Sequence, residues 1–134
     1  MTQLDAGRVL PPLALDPISR TTLALFAGAS GDTNPIHIDI DFARSAGLED
    51  VFAHGMLSMA YLGRLLTAHL AQEDIRSFDV RFVAVTPLHA RPTCEARVVS
   101  VDQIDGEQIA RLELEVSLED GTTTLRGTAT AVVR

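Results

Sequence analysis

The chain is 134 residues long, 46% hydrophobic and 22% charged, with a formal net charge of −7. That size suits one domain, residues 1–134, with a real core, and the acidity argues against nucleic acid, whose phosphates are bound at basic patches through counterion release. Every basic side chain other than histidine is an arginine, which excludes Schiff-base lysine catalysis and a Walker-type phosphate lysine; the single cysteine, Cys94, excludes an intrachain disulfide or a cysteine zinc site.

Residues 1–18 read as irregular, because Pro11-Pro12 and Pro17 interrupt short apolar pieces. Met1-Thr2-Gln3-Leu4-Asp5 lacks the basic and apolar regions of a secretory signal, and no stretch reaches the roughly 18 uncharged apolar residues of a membrane helix. The expectation is a cytoplasmic protein that engages no membrane. From Ser19, a fair N-cap, the spacing of Leu23, Phe26, Ala27 and Ser30 predicts one face of a helix. A second short helix is predicted over Asp41 to Ala46, stopped by Gly47, with Asp39 and Asp41 as helix-start carboxylates. Residues Gly55 to Leu70 leave almost no polar stripe, so they predict a helix buried on most of its surface.

The C-terminal half changes period. Phe78, Val80 and Phe82 alternate with Asp79 and Arg81; similar alternation runs through Leu112 to Leu118 and Leu125 to Val133. A period of two predicts antiparallel strands with one face on the core. Asp105-Gly106 and Asp120-Gly121 fall between the runs as hairpin signals. Cys94 shares a strand face with Ala96 and Val98, which predicts a buried structural thiol. The architecture is α+β: an antiparallel sheet curled around one apolar helix, with a helical excursion before it.

One run carries chemistry: Ala29-Ser30-Gly31-Asp32-Thr33-Asn34-Pro35-Ile36-His37, followed downstream by His54-Gly55-Met56. Asn34-Pro35 cannot continue a helix, because proline lacks the N–H and restricts the residue before it. Asp32 and His37 are therefore turned out of regular structure on a stiff loop, an acid and a base placed for proton transfer. A serine-hydrolase reading fails at once, since Gly28-Ala29-Ser30-Gly31-Asp32 breaks the G-x-S-x-G pattern at its last position. His37-x-Asp39-x-Asp41 alternates three possible metal ligands, but no HExxH pattern or cysteine pair supports a metal.

The run Ser30-x-Asp32-x-Asn34-Pro35-x-His37-x-Asp39 with His54-Gly55-Met56 resembles the MaoC-like hydratases and dehydratases of the hot-dog superfamily. Val80-Arg81-Phe82-Val83-Ala84-Val85-Thr86-Pro87 resembles the family's first long strand after the central helix; Leu88-His89-Ala90-Arg91-Pro92-Thr93 departs from the Gly-Asp-type pair usual at the next turn. The resemblance implies a hot-dog fold and hydration of trans-2-enoyl thioesters to (3R)-hydroxyacyl thioesters, or the reverse. It implies Asp32 and His37 as the catalytic pair, the Gly55 N–H as oxyanion donor, and Ser30, Asn34 and His54 as loop support, His54 holding the Gly55 turn. Met59, Gly63 and Leu66, on one helix face, would border the acyl pocket. No metal or redox cofactor is implied; coenzyme A or phosphopantetheine arrives on the substrate, as an acyl-CoA or acyl-carrier-protein thioester. A homodimer or higher homo-oligomer is expected. The alternatives are a hot-dog acyl thioesterase and a non-catalytic subunit of a heteromeric dehydratase.

Overall fold

A computed structural model describes residues 3–134. Strand β1 (Leu13–Ala14) precedes helix α1 (Arg20–Ser30), whose N-terminus is capped by the Ser19 hydroxyl accepting from the Thr22 N–H. Leu23 and Ala27 turn inward, and Gly31 ends the helix in the left-handed region at φ 79°. A 3₁₀ turn over Pro35–His37 leads to α2 (Ile40–Ser45). This helix starts one residue earlier than predicted because Asp39 Oδ1 accepts from both the Asp41 and Phe42 N–H groups. Then come α3 (Gly55–His69), a 3₁₀ turn (Gln72–Asp74), and strands β2 (Ile75–Phe82), β3 (Thr93–Ile104), β4 (Glu107–Ser117) and β5 (Thr123–Val132).

The strands form one antiparallel sheet in the order β1-β3-β4-β5-β2, curled around α3 in the α+β, hot-dog arrangement expected. Asp105 and Gly106 turn β3 into β4 with φ of 49° and 83°, the pair of positive φ that a two-residue hairpin requires. Alternate residues of β3 and β4, among them Cys94, Ala96, Val98, Leu112, Leu114 and Val116, pack on Leu62, Leu65 and Leu66 of α3. Gly127 in β5 faces Val80 of β2 so closely that a Cβ there would lie 2.2 Å from the Asp79 carbonyl oxygen. Only glycine lets the outer strand seat against its neighbour.

Two features differ from expectation. Of the segment read as irregular, whose first two residues lie outside the described ones, residues 7–15 run along β3: the Gly7 and Leu10 N–H groups donate to the Val98 and Ala96 carbonyls, and the Leu15 N–H to that of Pro92. Pro11 and Pro12 have no N–H to offer, so the pairing comes in patches and only two residues form a regular strand. The central helix is also not buried all round. Leu57, Ser58, Leu62, Leu65 and Leu66 are buried, whereas Met56 is 53% exposed and Ala60 is exposed. The sheet covers one side of α3 and leaves an apolar face open. Among the described residues, no helix is long and apolar enough to cross a membrane.

Candidate active site

The excursion formed by residues 19–54 has its own small core of Leu23, Ala43, Val51 and Ala53, joined by Ile18 and by Leu57 of α3. Its loop is tied mainly by bonds from backbone N–H groups to side chains. The Asp32 N–H donates to Ser30 Oγ at 3.1 Å, the Asn34 N–H to Asp32 Oδ1 at 3.3 Å, and the Ile36 N–H to Asn34 Oδ1 at 3.1 Å. Ser30 and Asn34 thus brace the turn that presents Asp32.

His37 is buried, and its Nδ1 lies 2.8 Å from the Phe52 carbonyl oxygen. A carbonyl only accepts, so Nδ1 carries the proton, and in the neutral ring Nε2 is bare. That Nε2 points at Asp32 Oδ2, 3.8 Å away, and the Asp32 side chain is 49% exposed. The gap is too long for a direct hydrogen bond and short enough for one water to touch both groups. His54 is buried with its Nε2 3.0 Å from the Asp32 carbonyl oxygen, to which it donates. Its ring stacks on His37 with centroids 4.0 Å apart and meets Phe26 edge-on at 4.9 Å. His54 makes no side-chain cap bond at the start of α3; it holds the Asp32 loop instead of the Gly55 turn. His54 Nδ1 and Ser58 Oγ, one turn apart, are buried with no hydrogen-bond partner.

Gly55 is the first residue of α3, where N–H groups have no partner within the helix and the helix dipole is positive. A Cβ on Gly55 would lie 2.9 Å from two carbons of the Phe82 ring. Any larger residue here would have to push aside the half-exposed ring of Phe82, a residue that nothing local in the sequence links to position 55. Asp32, Ser30, Phe26, Met56, Met59, Ala60, Gly63 and Phe78 together line a cleft of about 470 Å³, with Asp32 and Ser30 supplying its polar part. Met59 and Gly63 lie in this lining. Leu66 does not; it is fully buried against the sheet. Phe26 and Phe78 enter the site from α1 and β2, and the Phe52 carbonyl that fixes His37 has no side-chain signature at all.

Ligand-capable atoms of Asp32, His37 and His54 lie within 4.8 Å of one another. Each histidine already gives one ring nitrogen to a backbone carbonyl. A larger hollow, about 990 Å³, lies on the other face of the sheet among charged residues such as Arg97 and Glu113, which pair at 3.1 Å. It holds neither Asp32 nor His37, and its alternating charges are those of a solvated sheet face. Where the sequence departs from its resemblance after Pro87, His89 takes a left-handed φ of 69° and its N–H donates to the Ile18 carbonyl. The departure leaves the turn closed and does not touch the cleft.

The MaoC-like domain family matches residues 6–121. The chain belongs to this family. Among curated proteins, the MaoC-like chain is 30% identical over 102 residues to a mitochondrial 3-hydroxyacyl-(acyl-carrier-protein) dehydratase of Solanum lycopersicum, covering 76% of this chain and 62% of that one. It is 42% identical over 53 residues to the (R)-specific enoyl-CoA hydratase of Rhodospirillum rubrum, covering 40% of this chain and 37% of that protein. The match thus spans less than two thirds of the length of either relative. Among solved structures, the R-hydratase PhaJ1 of Pseudomonas aeruginosa superposes with a TM-score of 0.84 at 25% identity, covering 97% of this chain and 82% of that one.

Proposed function

We propose that this protein adds water across the double bond of trans-2-enoyl thioesters to give (3R)-hydroxyacyl thioesters, or runs the reverse dehydration. One observation carries the reading: the bare Nε2 of His37 faces, at 3.8 Å, Oδ2 of Asp32, which with Ser30 makes the polar part of an apolar cleft. Both groups accept hydrogen bonds and neither donates. A water held between them donates both its protons, and its oxygen lone pairs are left to face the substrate. As that oxygen attacks C3, the pair takes one proton and C2 receives one, so the product gains H and OH and the enzyme is restored. Acid–base help of this kind is worth about 10²–10⁴-fold. Negative charge collects meanwhile on the thioester oxygen, and the Gly55 N–H at the start of α3 answers it; losing one such donor costs about 10²–10³ in rate. The names of the tomato and Rhodospirillum relatives, a dehydratase and a hydratase, support the same chemistry.

The substrate arrives on coenzyme A. The chain's own net charge of −7 opposes a strongly acidic carrier protein, and two of its eleven arginines, Arg76 and Arg97, are already bound to Glu107 and Glu113. The protein works as a homodimer joined along β2. This outer strand pairs with β5 on one side only, and an open edge invites pairing; Phe82, Val83 and Val85 at its end are half exposed. Light scattering is expected to give twice the monomer mass, and an active monomer would contradict it. The chemistry is tested by following loss of the conjugated-thioester absorbance of trans-2-enoyl-CoAs, with released thiol measured in parallel. Loss of absorbance without thiol is expected. Thiol release would make the protein a thioesterase.

A further inference from the structure

The open face of α3 is apolar, and its geometry sets a length. Met56, Met59, Ala60 and Gly63 recur at helical spacing along one side of the cleft, with Asp32 in the same lining. From Gly55 to Gly63 the helix rises about 12 Å, and an extended chain advances about 1.2 Å per bond, so about eight to ten carbons fit between them. Gly63 is the last α3 residue in the lining. The Phe78 ring lies 3.7 Å from where a Gly63 Cβ would be, and the next residue on that face, Thr67, turns its hydroxyl back to the Gly63 carbonyl at 3.0 Å. Phe78 is anchored in β2 and packs on the sheet core, so the wall is held in place.

We infer that the protein selects unbranched medium-chain acyl thioesters of about eight to ten carbons, and that Phe78, seated against Gly63, is the residue that sets this limit. The inference rests on the proposed hydration chemistry for its direction, because C1 is placed at Gly55. A chain without branches is favoured because two rings, Phe26 and Phe78, take up room in a cleft of about 470 Å³ whose other apolar lining comes from α3. Removing the Phe78 ring opens the end of the trough by the depth of an aromatic side chain. The added room takes longer tails; shorter ones gain nothing from it.

The test measures both turnover and binding. kcat/KM is determined for trans-2-enoyl-CoAs of four, eight, twelve and sixteen carbons, and affinity for the matching saturated acyl-CoAs, with wild type, Phe78→Leu and Phe78→Ala. Melting curves show which variants are folded, and Phe78→Leu serves if Phe78→Ala does not fold. Wild type is expected to favour eight carbons over sixteen by at least tenfold in both measurements. The variants are expected to raise the sixteen-to-eight ratio at least tenfold. Equal wild-type preference for both lengths, or a ratio that does not move in a folded variant, would overturn the inference. Binding that favours eight carbons with no turnover at any length would uphold the trough and refute the hydration chemistry instead.

Discussion

Behind α3 the sheet buries Leu62, Leu65, Leu66, Leu112 and Leu125 to 1% exposure or less, whereas in front of it Asp32 is held by backbone and side-chain hydrogen bonds and stays half exposed. The first region gains its stability from apolar area removed from water, which is non-directional and large. The second gains position from hydrogen bonds, each modest in net energy but strict in geometry. The sheet therefore sets whether the protein folds, and the loop sets where two reactive groups stand. Substitutions in the two regions should separate stability from activity.

The largest effect is expected in the loop. Asp32→Asn keeps the Oδ1 acceptor for the Asn34 N–H but removes the charge, and His37→Gln removes the bare ring nitrogen. Each should lower kcat/KM for an enoyl thioester by about 10²–10⁴-fold while costing no more than about 1 kcal/mol of stability. Steady-state kinetics beside urea unfolding tests both parts, and a large stability loss would break the division between the regions. The converse lies behind the helix. Leu112→Ala leaves a cavity among fully buried side chains and should cost about 2–5 kcal/mol, with kcat unchanged at a temperature where the variant is folded.

Gly55 belongs to both regions, and it sharpens the comparison. Gly55→Ala drives a methyl group into the Phe82 ring, an overpacking worth about 1–3 kcal/mol, and also displaces the N–H proposed to answer the thioester oxygen. Phe82→Ala in the Gly55→Ala background should restore most of the lost stability and part of the lost rate. If the double variant is no better than Gly55→Ala alone, steric contact with Phe82 is not why glycine stands there.

The smallest effect is a pH dependence in the sheet. Cys94 is fully buried, and burial pushes its thiol up to about 12. Between about pH 9 and 12 the unfolded chain loses that proton while the folded one keeps it, so stability falls as pH rises, by about 1.4 kcal/mol per unit, and is flat below. Urea unfolding of wild type and Cys94→Ala at pH 8, 9 and 10 should show the slope in wild type alone. A thiol reagent should leave native Cys94 unlabelled at pH 8.

Much of this was legible because it is local. Alternation in β2 to β5, the Asp105-Gly106 turn, the Ser19 cap and the Asp32–His37 spacing all depend on residues near one another in the chain. The pairing of residues 7–15 along β3 was not, because prolines disguise an edge segment as irregular. Nor was the open face of α3: residues such as Met56 and Ala60 read as core like Leu62, and only the one-sided curl of the sheet tells them apart. The parts of the site that escaped detection join distant segments. Phe82 meets Gly55, Phe78 meets Gly63, and the carbonyls of Phe52 and Asp32 fix the two imidazoles. A backbone carbonyl has no residue type to announce it.

The central claim is that a water gripped by Asp32 and His37 becomes the hydroxyl on C3. It is tested most directly by incubating the protein with trans-2-octenoyl-CoA in ¹⁸O-labelled water and locating the label by mass spectrometry, with Asp32→Asn and His37→Gln alongside. Wild type should place one ¹⁸O atom at the C3 hydroxyl of an intact thioester, and both variants should lose that product. Label in a released carboxylate, or equal C3 labelling by all three proteins, would contradict it.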